Sequence, residues 1–173
     1  MKRILCMILA VLCCISCVLA LAACGEEEAT EGEGKNNDGN IYYMMHGDVK
    51  IELGKDAAGV LSALREAKSV QELGDCGGFG AQVKYVYNDF NVYTLKSDSG
   101  ETIDQISFTS DLAVTPKNIC ISSAKEAVIK AYGEPTVSTD KELRYTNASG
   151  EMILKFSLKD GIVSAIDYIR ISK

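Results

Sequence analysis

The chain has no tryptophan, one histidine, two prolines and no excess of basic side chains. The single histidine, His46, excludes multi-histidine metal centres and leaves one candidate for imidazole catalysis. Lys and Arg total 18 against 24 Asp and Glu, a net charge of −6. A nucleic-acid binder needs clustered basic side chains to meet phosphates, so the acidic balance argues against that class. What is present is ordinary: 173 residues, 47% of them apolar, enough for one domain with its own core.

The first residues are unlike the rest. Lys2 and Arg3 give a positive start, Ile4–Leu21 is an uncharged apolar run of 18 residues, and Leu21-Ala22-Ala23-Cys24 closes it with small side chains before a cysteine. Such a run is long enough to span a bilayer. The small-residue exit and the abrupt polarity after it favour a cleaved signal peptide over residues 1–23 instead. This segment resembles the bacterial lipoprotein signal with its lipobox. The resemblance implies cleavage before Cys24 and a diacylglycerol on its thiol. The two acyl chains of that diacylglycerol supply the two anchoring signals that stable attachment requires. The implied location is the extracytoplasmic face of the cell membrane.

Residues 24–40 follow as a tether. Gly25–Asn40 carries five Glu, one Asp and one Lys and no large apolar side chain. It cannot offset its ordering entropy by burial and reads as disordered. As a flexible coil it would average roughly 20–24 Å end to end. Its spacing does not match a calcium loop. With the signal at +2 and the tether at −5, residues 41–173 keep −3 of the total −6. No basic membrane-docking patch is evident.

The remaining 133 residues read as an α+β domain of two similar halves, about 41–110 and 111–173. Ile41–Met45 and Val49–Leu53 flank the turn signal His46-Gly47-Asp48 and suggest a hairpin. Ala57, Val60, Leu61 and Leu64 form a helical stripe, and Ser69–Leu73 reads as a further helical turn. Val83–Tyr87, Phe90–Leu95 and Thr102–Phe108 then read as a three-stranded antiparallel meander. The pattern recurs after Ile119–Ile121, a short apolar stretch. A helix capped by Ser122 or Ser123 carries the stripe Ala124, Ala127, Val128 and Ala131, and Gly133 and Pro135 stop it. Strands follow at Leu143–Thr146, Met152–Leu158 and Ile162–Ile171. Leu53–Leu64 aligns with Ile121–Tyr132, and Ile106 and Phe108 align with Ile166 and Tyr168. The expectation is a tandem repeat of one helix plus a three-stranded meander.

The succession of short strand, Gly or Ser, helix, Tyr-Gly-x-Pro and three strands resembles the repeat of the beta-lactamase inhibitory protein and of the SmpA/OmlA outer-membrane lipoproteins. Ile119–Ile171 carries it best. The folded part as a whole resembles a group of Gram-positive lipoproteins with no assigned activity, through Asp75-Cys76-Gly77, Gly80, Tyr85-Val86-Tyr87, Thr115-Pro116 with Ile119, and Tyr132-Gly133. Asn118, Cys120 and Ser122 depart from the pattern, the first and last standing where Gly is usual. The resemblance implies tandem α+β units outside the cytoplasm and no enzyme activity.

Several residues are candidates for chemistry. Gly77-Gly78-Phe79-Gly80 lacks the Lys-Ser/Thr ending and the following helix of a phosphate loop. Cys76 and His46 could serve as nucleophile and base, but nothing in their spacing supplies the activating charge or the orienting third group. Cys76 and Cys120 are the two cysteines left in the domain, and an extracytoplasmic location permits a bridge between them. Asp89, Asp98, Glu101, Asp104 and Asp160 fall at turns and strand ends. Tyr85, Tyr87, Tyr93, Tyr145 and Tyr168 fall on strands, where they form either core or, if exposed together, a protein-binding face. The expectation is therefore a non-enzymatic lipoprotein, without cofactor or metal, that binds a protein or cell-envelope partner. The alternatives are a small hydrolase using Cys76 or a solute-binding lipoprotein, for which this domain is small.

Overall fold

The structure is a computed structural model that describes residues 41–75 and 80–171. The signal segment, the tether with Cys24, and Cys76 with the rest of its glycine loop through Phe79 lie outside the described residues.

The chain opens with the expected hairpin, β1 (Tyr43–His46) against β2 (Val49–Glu52). Its two-residue loop begins at Gly47, whose φ of +57° suits glycine at the first position of a tight hairpin turn. Helix α1 (Ala57–Ala63) follows, and the Asp56 carboxylate accepts the Ala58 N–H at 3.2 Å. That is an N-cap bond, meeting a donor the helix itself cannot satisfy. Four strands come next: β3 (Ser69–Asp75), β4 (Ala81–Val86), β5 (Phe90–Ser97) and β6 (Gly100–Phe108). A loop leads to α2 (Lys125–Tyr132), which ends at Gly133 with φ +78°. The chain finishes with β7 (Val137–Ser138), β8 (Glu142–Thr146), β9 (Met152–Lys159) and β10 (Ile162–Arg170).

Both meanders share one eight-stranded sheet in the order β3-β4-β5-β6-β10-β9-β8-β7. Every neighbouring pair is antiparallel. The join is β6 on β10, with Ser107 opposite Asp167, Ile106 opposite Tyr168 and Gln105 opposite Ile169.

This corrects the α+β expectation. Antiparallel strand dominates the described residues, with only two short helices, and each meander has four strands instead of three. The missed strands are the two sheet edges. Ser69–Leu73, read as a helical turn, is most of β3, and all seven residues of β3 are exposed. An edge strand with neither face buried shows no apolar alternation, so period-two reasoning has nothing to register. At the other edge, β7 has two residues, below the length at which a pattern exists. Ile119–Ile121 is loop. It is held by Thr115, whose N–H donates to the Ile119 carbonyl at 2.8 Å and whose hydroxyl accepts the Ile119 N–H at 3.1 Å.

The two helices start in the same way. Gly54 donates to the Ile103 carbonyl at 2.7 Å while Ile103 donates to Lys55 at 2.9 Å. Ser122 donates to Val163 at 2.8 Å while Val163 donates to Ser123 at 2.8 Å. Gly54 and Ser122 take φ of +76° and +77°. Neither serine caps α2. The N-cap is Ala124, without a side-chain bond, and the Ser123 hydroxyl instead accepts the Cys120 N–H at 3.0 Å. Ser122 therefore holds a left-handed conformation in which its Cβ is crowded. Ser122→Gly is expected to stabilise the domain by roughly 0.5–1 kcal/mol, read as a higher denaturant midpoint. A lower midpoint would mean the serine side chain contributes more than its strain costs.

One face of the sheet carries the core. Val92, Ile103, Ile106, Leu143, Leu154, Phe156, Ile166 and Tyr168 are almost wholly buried there, under Met44, Ile51 and Leu53 of the hairpin and Ala57 and Val128 of the helices. Tyr132, Tyr145 and Phe156 meet beneath α2 with ring centroids 5.4–6.0 Å apart. The Tyr145 hydroxyl donates to the Gly133 carbonyl at 3.0 Å and so ties the helix end to the sheet.

Burial pushes the Tyr132 and Tyr145 phenols up to about 12 and raises Tyr168 well above its ordinary value of 10. The unfolded chain ionises these groups near pH 10, whereas the folded core keeps them neutral. Their contribution is intact below about pH 10 and is lost as pH climbs toward about 12. Thermal midpoints are expected to stay level up to about pH 9 and to fall steeply above about pH 10.5. A level profile to about pH 12 would contradict the buried placement.

Candidate functional site

Among the described residues, the second face of the sheet lies away from the core that the hairpin and helices cover. Alternation decides what it shows: between Leu143 and Tyr145 stands Arg144, between Leu154 and Phe156 stands Lys155, and between Ile166 and Tyr168 stands Asp167. Antiparallel register then lines these up. Asn91 on β5 is opposite Ser107 on β6, Ser107 opposite Asp167 on β10, Asp167 opposite Lys155 on β9, and Lys155 opposite Arg144 on β8. The result is one polar row running across five strands.

Hydrogen bonds tie its middle together. The Gln105 amide donates to the Ser107 hydroxyl at 2.9 Å, and Ser107 donates to Asp167 Oδ1 at 2.7 Å. Lys155 Nζ lies 3.3 Å from Asp167 Oδ2. Arg144 reaches along its own strand to Glu142 Oε1 at 2.7 Å. The ends of the row are not satisfied. Asn91 is 8% exposed, and its Oδ1 is buried without a donor. Arg144 Nε is likewise buried without an acceptor. A buried polar atom left unpaired costs on the order of 1–3 kcal/mol. The next row on this face is Tyr93, Gln105, Ile169 and Ile153, all half-buried.

The five strand tyrosines do not form one patch. Tyr145 and Tyr168 are 5% and 0% exposed, within the core, which removes them from any partner-binding set. Tyr85 lies opposite the buried Val92 and points to the core side near the β3 edge. There its hydroxyl donates to Glu101 at 3.0 Å, and burial followed by that bond pushes its pKa up to about 12. The buried Thr94 hydroxyl also donates to Glu101, so this carboxylate is a structural acceptor. Tyr87 stacks on Phe90 at 5.0 Å. Tyr93 alone belongs to the open face, with Lys84 Nζ 5.6 Å from its ring centroid.

Of the two cysteine candidates, Cys120 alone lies among the described residues. Cys76 lies outside the described residues, but its chain neighbour Asp75 pairs with Ala81, Ala81 with Lys96, and Lys96 with Glu101. Cys120 carries a free, half-buried thiol and lies just before Ser122, which is bonded to Val163 at the start of β10. From the level of Glu101 to that of Val163 is about ten residues of strand, roughly 30 Å. His46 is also remote from Asp75. Its ring packs on Phe90 at 5.0 Å, and Phe90 lies at the opposite end of β5 from Lys96, roughly 20 Å away. Alkylation in denaturant without reductant is expected to label both Cys76 and Cys120. Labelling of neither would establish the bridge.

Among the described residues, no group of three or more His, Cys, Asp or Glu is placed to hold a metal ion, and no helix is long and apolar enough to cross a membrane. Sequence reasoning missed Asn91, Ser107, Asp167, Lys155 and Arg144. The alternation could have placed Arg144, Lys155 and Asp167 away from the core, but their alignment depends on strand pairing. No family model, curated protein or solved structure matches the chain.

Proposed function

We propose that this chain is a lipid-anchored, extracytoplasmic protein without enzyme activity whose open sheet face binds a protein or cell-envelope partner. The lipobox-like Leu21-Ala22-Ala23-Cys24 and the acidic tether support the anchor and the location. The observation that carries the binding reading is the open face itself. It sets Tyr93, Ile153 and Ile169 beside a polar row whose middle is held rigid by hydrogen bonds and whose two ends keep buried, unmatched capacity. Apolar and aromatic contact area beside preorganised polar groups is the composition of a protein-binding surface.

The test is site-specific photo-crosslinking on intact cells from Tyr93 on the open face and from Glu126 on the exposed side of α2. A distinct species captured from position 93 and absent from position 126 is expected. The same set from both positions, or none from position 93, would overturn the reading.

A further inference from the structure

We infer that the open face takes an acidic polypeptide segment, one of whose carboxylates docks between Lys155 and Arg144. This rests on the binding reading above and specifies the partner's chemistry. Lys155 and Arg144 are direct cross-strand partners on one face, where side chains stand about 5 Å apart at Cβ and like charges repel.

The acids nearby do not fill the space between them. Asp167 draws Lys155 toward β10 and is itself held by Ser107, while Glu142 draws the Arg144 NH2 along β8. Each ion pair thus leans away from the gap. The gap is flanked by these two paired cations, and the buried Arg144 Nε–H has no acceptor. A guanidinium with one edge occupied still offers its remaining N–H groups to a second carboxylate oxygen. An incoming carboxylate would satisfy Nε and relieve the Lys155–Arg144 repulsion together.

The other end of the row favours a polypeptide as the source of that carboxylate. Asn91 Oδ1 needs a donor, and a peptide N–H or side-chain amide supplies one. Asn91 and Arg144 are separated by four strand spacings, roughly 19 Å, which an extended chain of about six residues spans. Beside that line, Tyr93, Ile169 and Ile153 give apolar side chains a surface. An anionic glycan polymer would match the cations but not this apolar row.

The test places a photo-crosslinker at Thr146, next to Arg144 on the same face, in the full lipidated chain on cells. The captured segment is sequenced by mass spectrometry. A net-acidic peptide is expected, with crosslinking reduced about tenfold in Arg144→Gln and in Lys155→Gln and weakened by salt. Unchanged thermal midpoints of both variants show that the loss is not unfolding. A neutral or basic peptide, a glycan adduct, or yields unchanged in both variants would overturn the inference. If position 93 captures a partner and position 146 captures none, the acidic-segment inference fails while the binding face stands. If neither captures anything, both fail.

Discussion

Tyr168→Ala is expected to destabilise the domain by about 3–5 kcal/mol, the range for removing a large aromatic side chain from a packed core. Tyr168 is fully buried and sits at the seam of the sheet, opposite Ile106 on β6 and Leu154 on β9. Its ring lies 6.0 Å from Phe108, and its hydroxyl lies beside Tyr132 under α2. Removing it opens a cavity where the two meanders join, so both should loosen together. Against a usual domain stability of about 5–15 kcal/mol, this is a large fraction. Denaturant unfolding of the variant measures it. Tyr93→Ala supplies the contrast: on the half-buried open face it should cost far less stability while lowering open-face crosslinking. If Tyr168→Ala unfolds at the wild-type midpoint, the seam is not packed as described.

Cys24→Ser is expected to move the processed protein, freed of residues 1–23, from the membrane fraction into the medium. On the lipoprotein reading, Cys24 is the attachment point of the processed chain, and the −3 charge of residues 41–173 offers no electrostatic substitute on an anionic membrane. Cell fractionation with and without the substitution reads this directly. Mass spectrometry of the wild-type N-terminus should show diacylglycerol on residue 24 and no residues 1–23. Retention of Cys24→Ser at the membrane in its processed form would mean that another element holds it there. A wild-type chain that keeps residues 1–23 would remove the lipoprotein reading altogether.

Several features of this protein were determined by local sequence. The β1–β2 hairpin, the apolar stripe of α1, the Gly133 stop of α2 and the strands β4, β5, β6, β8, β9 and β10 all follow from turn residues, a helix-stop glycine and apolar period. These signals act over a few residues and need no partner. Alternation within β9 by itself also places Leu154 and Phe156 on the face opposite Lys155. Tertiary structure alone decided the rest. Whether a strand tyrosine is core or surface depends on which face the hairpin and helices cover, so Tyr145 and Tyr168 were sent inward and Tyr93 outward. The edge strand β3 has no buried face to write a period into its residues, and its identity comes from pairing with β4. The polar row is a product of register: Asn91, Ser107, Arg144, Lys155 and Asp167 come from five strands and meet only because antiparallel ladders align them. A strand's own sequence specifies which face a side chain takes, but hydrogen bonding to the neighbouring strand decides what stands beside it.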